Sequence, residues 1–279
     1  MSDWVFRVKA NSEPDHGNVQ ALFSYEGDTA KRLVRESIQN SLDQSLDKDV
    51  PVEVRINLNL KDSSINTRNS MFFNGLRFHV EQSLNEATDE GKGNPIEMNQ
   101  NILSQFDSNM NFLVIEDFKT TGVTGSVKRY TKPRDNEHKA LENFYYFFRA
   151  EGISGKHGDK MGSWGYGKWV FTMASKINTT FAYSVKQQDN IEPETGVQRL
   201  IGFANLWEHG SQDGKRYAPV GYYGKQEHGD DELHSNDRIT LPFDDRDETI
   251  INEAKTTFGL TRNSDETGLS LVMLMPHDD

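Results

Sequence analysis

Apolar and polar positions change period several times along the chain, and each change marks an element. In DTAKRLVRESIQNSLDQSL the residues Leu33, Ile38 and Leu42 recur at helical spacing, with Asp28 or Thr29 able to cap the start. This predicts a helix whose apolar side those three residues form. PVEVRINLNL then alternates, with Val52, Val54, Ile56, Leu58 and Leu60 on one face and polar residues between them, as in a half-buried strand. Residues 61–110 read as a loop-rich insertion carrying a strand at MFFNGLRFHV and a helix at PIEMNQNILSQF. NFLVIED is a short apolar strand ending in two acids, and HKALENFYYFFRAEG predicts a helix. ISGKHGDKMGSWGYGKWVFTMAS is a glycine-rich loop running into another helix. NTTFAYSVKQ and RLIGFANLWEH predict strands joined by a polar hairpin around DNIEPETG. Residues 208–238 read as polar loop, DRDETIINEAKTTFG as a helix with an acidic start, and TGLSLVMLMP as a terminal strand.

The order is helix first, then strands mixed with helices, without regular βαβ alternation. That pattern favours an α+β sandwich in which a mixed sheet is covered by helices on one face. No clean linker interrupts the chain, so residues 1–279 are expected to form a single domain. The chain stops just after a strand, as a cut through a longer protein would.

Composition narrows the function classes. Hydrophobic residues make up only 34%, but 16 Phe, 9 Tyr and 4 Trp supply large burial units, so long polar loops around a real core are expected. The net charge of −12 argues against a protein that lives by wrapping phosphate backbones, while leaving room for a local basic pocket. There is no cysteine, which excludes disulfides and thiolate zinc sites. The start, MSDWVFRVKANSEPD, has no apolar signal core, and no run approaches the roughly 20 apolar residues that span a bilayer. The expected location is cytoplasmic.

Three stretches carry candidate chemistry. On the first helix, Glu36, Asn40 and Asp43 fall at i, i+4 and i+7 and so share one face. That ladder is either a solvated polar face or a working one, in which Asn40 offers a neutral oxygen to magnesium and Glu36 orients or deprotonates a water. Gln39 and Ser41 are expected to be solvated or capping. In VIEDFKTTGVTG, Asp117 closes a strand and a Gly- and Thr-rich turn follows. Asp117 either caps that turn or, as an acceptor, reads the exocyclic amino group of adenine, with Gly122 and Gly125 letting the backbone pass close to a flat base. Glu116 is sent to the other face by strand alternation. In GSWGYGK, Gly162, Gly165 and Gly167 precede a helix, and Lys168 can add charge to a phosphate. Upstream, Lys156 and Lys160 lie on a loop able to close as a lid. The glycine pattern is neither a P-loop nor a dinucleotide fingerprint.

Taken together and in this order, ESIQNSLD, VIEDFKTTGVTG, GSWGYGK and the terminal TGLSLVML resemble the motifs of the GHKL superfamily of ATPases. That superfamily includes gyrase B, the ninety-kilodalton heat-shock chaperones, histidine kinases and MutL. The resemblance covers residues 29 to 275. It implies the Bergerat fold, a two-layer sandwich with a mixed, mainly antiparallel sheet and helices on one face. It also implies an ATP lid at about 150–168 and an insertion at about 61–110. By matching positions, Glu36 would activate water, Asn40 would hold magnesium and Asp43 would order the site. Asp117 would bind adenine, Gly122 and Gly125 would lie by the base or sugar, and Lys156, Gly162, Gly165, Gly167 and Lys168 would wrap the phosphates. The sequence departs from the pattern where Lys119 and Thr120 stand in place of the first glycine after the aspartate. It departs again where Gly268 is followed by Leu269, with Thr267 and Ser270 as the nearby hydroxyls.

What the resemblance implies is magnesium-dependent ATP binding and slow hydrolysis, used as a conformational or ATP-gated dimerisation switch with an attached or partner effector module. A DNA-associated or phage-defence role would follow the same kinship, although the acidic balance makes direct nucleic-acid binding by this domain an unfavoured expectation. Two alternatives stay open on the sequence alone: a histidine-kinase-like catalytic domain, and a binding module without catalysis.

Overall fold

The computed structural model describes residues 3–14, 29–59, 65–67, 70–89, 91, 96–132, 142–150, 169–188, 196–211, 213–228 and 238–277. Strand β1 (Trp4–Val8) leads to helix α1 (Thr29–Asp43), strand β2 (Glu53–Asn59) and a short strand β3 (Ile65–Asn66). Helices α2 (Leu76–Asp89) and α3 (Ile96–Ser104) follow, then β4 (Asn109–Met110) and β5 (Phe112–Phe118). After a π-helical turn at Tyr145–Arg149 come α4 (Trp169–Met173), β6 (Thr179–Val185), β7 (Gln198–Asn205) and β8 (His209–Gly210). The chain continues with β9 (Arg216–Tyr223), β10 (Lys225–His228), β11 (Arg238–Leu241), α5 (Glu248–Phe258) and β12 (Gly268–Leu274).

The main sheet has eight strands in the order β1-β9-β7-β6-β12-β5-β2, with β8 paired to β9. Every pairing described within it is antiparallel. The α+β class and the mainly antiparallel sheet are as the sequence predicts. Strand alternation sorts the core into two clusters. Phe181, Tyr183, Val185, Val272 and Leu274 face one way and pack with α2, α3 and α5 through Leu76, Val80, Ile102, Ile251 and Phe258. Leu113, Ile115, Ala182, Leu271 and Met273 face the other way and pack with Leu33 of α1 and Trp169 and Phe171 of α4. Beyond the helix layer expected over one face, the sheet therefore carries α2, α3 and α5 on the other. Each large side chain so buried is worth roughly 1.5–3 kcal/mol.

Several local expectations are overturned. MFFNGLRFHV is not a strand: Met71–Phe73 form a 3-10 turn and α2 begins at Leu76. Leu76, Val80, Ser83 and Ala87 are buried at helical intervals that the aromatic run conceals. At the start, where no element was expected, β1 forms the other end of the sheet among the described residues, and Trp4 Nε1 donates to the Phe72 carbonyl at 2.8 Å. Residues 208–238 are not all loop, since they contain β8, β9 and β10. Pro219 and Gly221 blur the alternation of β9.

Helix α1 differs most from its sequence pattern. Leu33 is buried, but Ile38 is 43% and Leu42 60% exposed. The row turned to the sheet is Leu33, Ser37 and Ser41. Ser37 Oγ donates to the Leu33 carbonyl at 2.6 Å and Ser41 Oγ to the Ser37 carbonyl at 2.9 Å. These back-bonds satisfy the hydroxyls, and their small size lets the helix lie close to β5.

Candidate functional site

Alternation along β5 turns Leu113 and Ile115 toward α1, and Asp117 is the next residue in that row, at the end of the strand. Its carboxylate is ringed by donors. Oδ1 accepts from Thr120 Oγ1 at 2.8 Å and from the Leu269 amide at 2.8 Å, and Oδ2 accepts from Ser41 Oγ at 3.1 Å. Burial pushes the pKa of this carboxyl up, while those three donors and nearby Arg262 pull it back toward ionisation. A carboxylate offers about four acceptor directions. Three are filled here, and the remaining one is on Oδ2, so one further donor can be received. Asp117 itself is half-buried.

Glu116 points to the opposite face, as alternation requires. It accepts from the Thr261 amide, from Thr261 Oγ1 at 2.6 Å and from Ser270 Oγ at 2.8 Å. Arg262 is completely buried beside it. Its guanidinium donates to Ser270 Oγ at 3.0 Å, to the Glu266 carbonyl at 3.0 Å and to the Asp117 carbonyl. It also lies 4.4 Å from the centre of the Phe118 ring, against which Arg55 stacks at 4.3 Å. Arg262 thus clamps the backbone under Asp117. Nothing in the spacing of Arg262 announced this role.

On α1, Glu36 and Asn40 are half-buried along one flank of the Leu33–Ser37–Ser41 row, whereas Asp43 is exposed in the last turn. Glu36 Oε1 accepts from Arg35 Nη2 at 3.0 Å. Ser41, expected to be solvated or capping, is instead buried and bonded to Asp117. Gln44 is a second residue that sequence reasoning passed over. Its Oε1 accepts from Thr121 Oγ1 and from Asn143 Nδ2, both at 2.9 Å, and its carbonyl accepts from the Thr121 amide at 2.8 Å. The end of α1 is thereby tied to the loop after β5. Its position four residues beyond Asn40 was the available signal.

Lys119 has φ 63, the left-handed conformation that glycine adopts most readily. Its amide donates to the Thr267 carbonyl at 3.2 Å and its carbonyl accepts from Leu46 N at 3.1 Å. The lysine therefore takes the backbone shape that a glycine would supply after the aspartate. Gly122 (φ 62) lies against β6, where a Cβ would sit 2.5 Å from the Val185 carbonyl oxygen. Gly125 (φ 95) is buried in the same loop. Ser184 Oγ accepts from the Val123 amide at 2.8 Å and donates to the Gly268 carbonyl at 2.9 Å, joining this loop to the start of β12. Gly268 (φ 143) packs on Asp117, and a Cβ there would lie 2.8 Å from Oδ1. Of the two hydroxyls near Gly268, Ser270 serves Glu116 on the far face; the hydroxyls bonded to Asp117 are those of Thr120 and Ser41.

The structure therefore gathers the α1 row, Asp117, the glycine turn and the start of β12. Lys156, Gly162, Gly165, Gly167 and Lys168 lie outside the described residues. Among the described residues, no group of three or more His, Asp or Glu side chains is assembled as a metal cage, and no helix is long and apolar enough to cross a membrane. No protein-family model matches the chain, and no curated protein matches it significantly.

Proposed function

We propose that this chain binds Mg-ATP between α1 and the loop after β5 and hydrolyses it slowly, as the GHKL resemblance implies. The observation that carries the proposal is the Asp117 carboxylate, an enclosed acceptor with three protein donors and one direction left for an amino group. An exocyclic amine fits that position, because it can only donate there and would offset the cost of enclosing the charge. The resemblance puts Gly122 and Gly125 by the base or sugar; the absent Cβ of Gly122 lets the loop after β5 seat on β6.

Asn40 is the group on α1 suited to magnesium, a hard cation that takes oxygen ligands and commonly completes its shell with water and phosphate. Magnesium, when bound, supplies charge neutralisation on the phosphate oxygens. Glu36, one turn earlier on the same flank, accepts the proton of the attacking water, and Arg35 holds its carboxylate in place beforehand. Asp43 is reserved for an ordering role near the nucleotide. The glycines and lysines of 156–168 are the proposed phosphate contacts and lid. A γ-phosphate that holds such a lid, and an ADP that cannot, gives the differential binding a switch needs.

Release of phosphate from ATP with and without magnesium tests the reading. The expected result is magnesium-dependent turnover that Glu36→Ala abolishes while nucleotide binding persists. Equal turnover in Glu36→Ala removes this residue as the base, and an acid-labile phosphoprotein in place of free phosphate supports the kinase alternative.

A further inference from the structure

Helix α1 is turned inside out. Its small and polar residues face the sheet, and Val34, Ile38 and Leu42 form a stripe at i, i+4 and i+8 that is 39%, 43% and 60% exposed. The stripe lies on the flank opposite Glu36 and Asn40. Among the described residues, strand β2 ends the sheet on this side as an edge strand. Ile56 and Leu58, on the same strand face as Val54 and therefore on the α1 side, are 46% and 53% exposed. An apolar helix stripe beside an open apolar strand edge is a surface that soluble proteins ordinarily cover.

We propose that a second copy of this chain covers it, through antiparallel pairing of β2 with β2 of the partner about a twofold axis at Ile56. This inference does not depend on the nucleotide reading. The strand is self-complementary in that register. On the helix face Ile56 meets Ile56 and Val54 meets Leu58, all apolar; on the other face Arg55 meets Asn57, so no like charges oppose there. The helix layer matches as well. A twofold axis perpendicular to the sheet puts both copies of α1 on the same face and runs them antiparallel. Helix α1 packs on both β5 and β2. With strands about 4.8 Å apart, a helix midway between β5 and β2 is roughly 5 Å from the axis, so the two helices stand about 10 Å apart, within the distance at which helices pack.

The test uses the full chain in sedimentation equilibrium, with Ile56→Lys and Ile56→Glu made separately. Ile56 is exposed, so both variants are expected to keep the wild-type circular dichroism and urea midpoint. The wild type is expected to dimerise. Each variant alone places like charges across the axis and weakens the dimer by about tenfold or more, whereas an equimolar mixture of I56K and I56E regains most of that affinity. Amides of β2 are expected to exchange more slowly as protein concentration rises. A wild type that stays monomeric, a dimer indifferent to both substitutions, or a mixture no tighter than either variant alone overturns the proposal.

Discussion

Ser41 Oγ stands 3.1 Å from Asp117 Oδ2, joining the face of α1 to the end of β5 across 76 positions of sequence. The same hydroxyl donates to the Ser37 carbonyl, so it is shared between holding the helix and holding the acid. Ser41→Ala removes one of three donors from an enclosed carboxylate. The expected cost is about 1–2 kcal/mol of folding stability, read by urea denaturation, with a several-fold loss of nucleotide affinity. A variant with wild-type stability and binding places no weight on this contact.

Arg262 is the buried cation beneath the site, and Glu116 is its buried neighbour. Arg262→Met removes the positive charge at nearly constant volume and leaves Glu116 enclosed among hydroxyl and amide donors. The expected loss is about 3–5 kcal/mol in urea denaturation, partly recovered by adding Glu116→Gln. Recovery in the double variant separates charge imbalance from lost packing.

Lys119 carries a left-handed backbone in a position where glycine is easier. Lys119→Gly relieves about 1–2 kcal/mol of conformational strain and costs about 0.5–1 kcal/mol in chain entropy. A net gain of up to about 1 kcal/mol in thermal or urea unfolding is expected, with Lys119→Ala showing no such gain.

His79 and His209 form a buried pair far from Asp117 in the fold, with His79 Nδ1 and His209 Nε2 2.8 Å apart. The Trp207 carbonyl, 2.7 Å from His209 Nδ1, can only accept, so that nitrogen carries the proton and His79 donates to His209 Nε2. Burial, and then the neighbouring ring, pulls the pKa of His79 down to about 3, and burial lowers that of His209. With folded values below the unfolded one, the pair's contribution is complete above about pH 6.5 and is lost as pH falls toward the folded values. The burden on Asp117 runs the other way, because its folded pKa is raised. The comparison of wild type with His79→Gln between pH 4 and 7 isolates the histidine part. The wild type is expected to lose up to about 1.4 kcal/mol more per pH unit than the variant.

What the sequence revealed follows from which forces are local. The strict alternation of β2 and the apolar run of β5 are local patterns, and both strands formed where expected. The turning of Glu116 and Asp117 to opposite faces follows from strand period alone. The burial of Ser37 and Ser41 over Ile38 and Leu42 could not be read in this way, because it is decided by how the helix packs on β5, a contact remote in sequence. Strand β9 escaped notice because Pro219 and Gly221 blur its alternation and one of its partners, β1, is remote in sequence. Arg262 lies 145 positions from the backbone it clamps, a relation that no spacing rule encodes.

On the proposed reading, the Asp117 carboxylate, held by Ser41, Thr120 and Leu269, receives the amino group of a purine triphosphate. Isothermal titration of the full chain with ATP and magnesium, set beside the same titration of Asp117→Asn and of the wild type with GTP, bears on it most directly. The expected result is single-site binding of ATP that falls at least tenfold in Asp117→Asn and with GTP, whose six-position oxygen can only accept. Wild-type protein that takes up no ATP, or equal affinity across the three titrations, contradicts it.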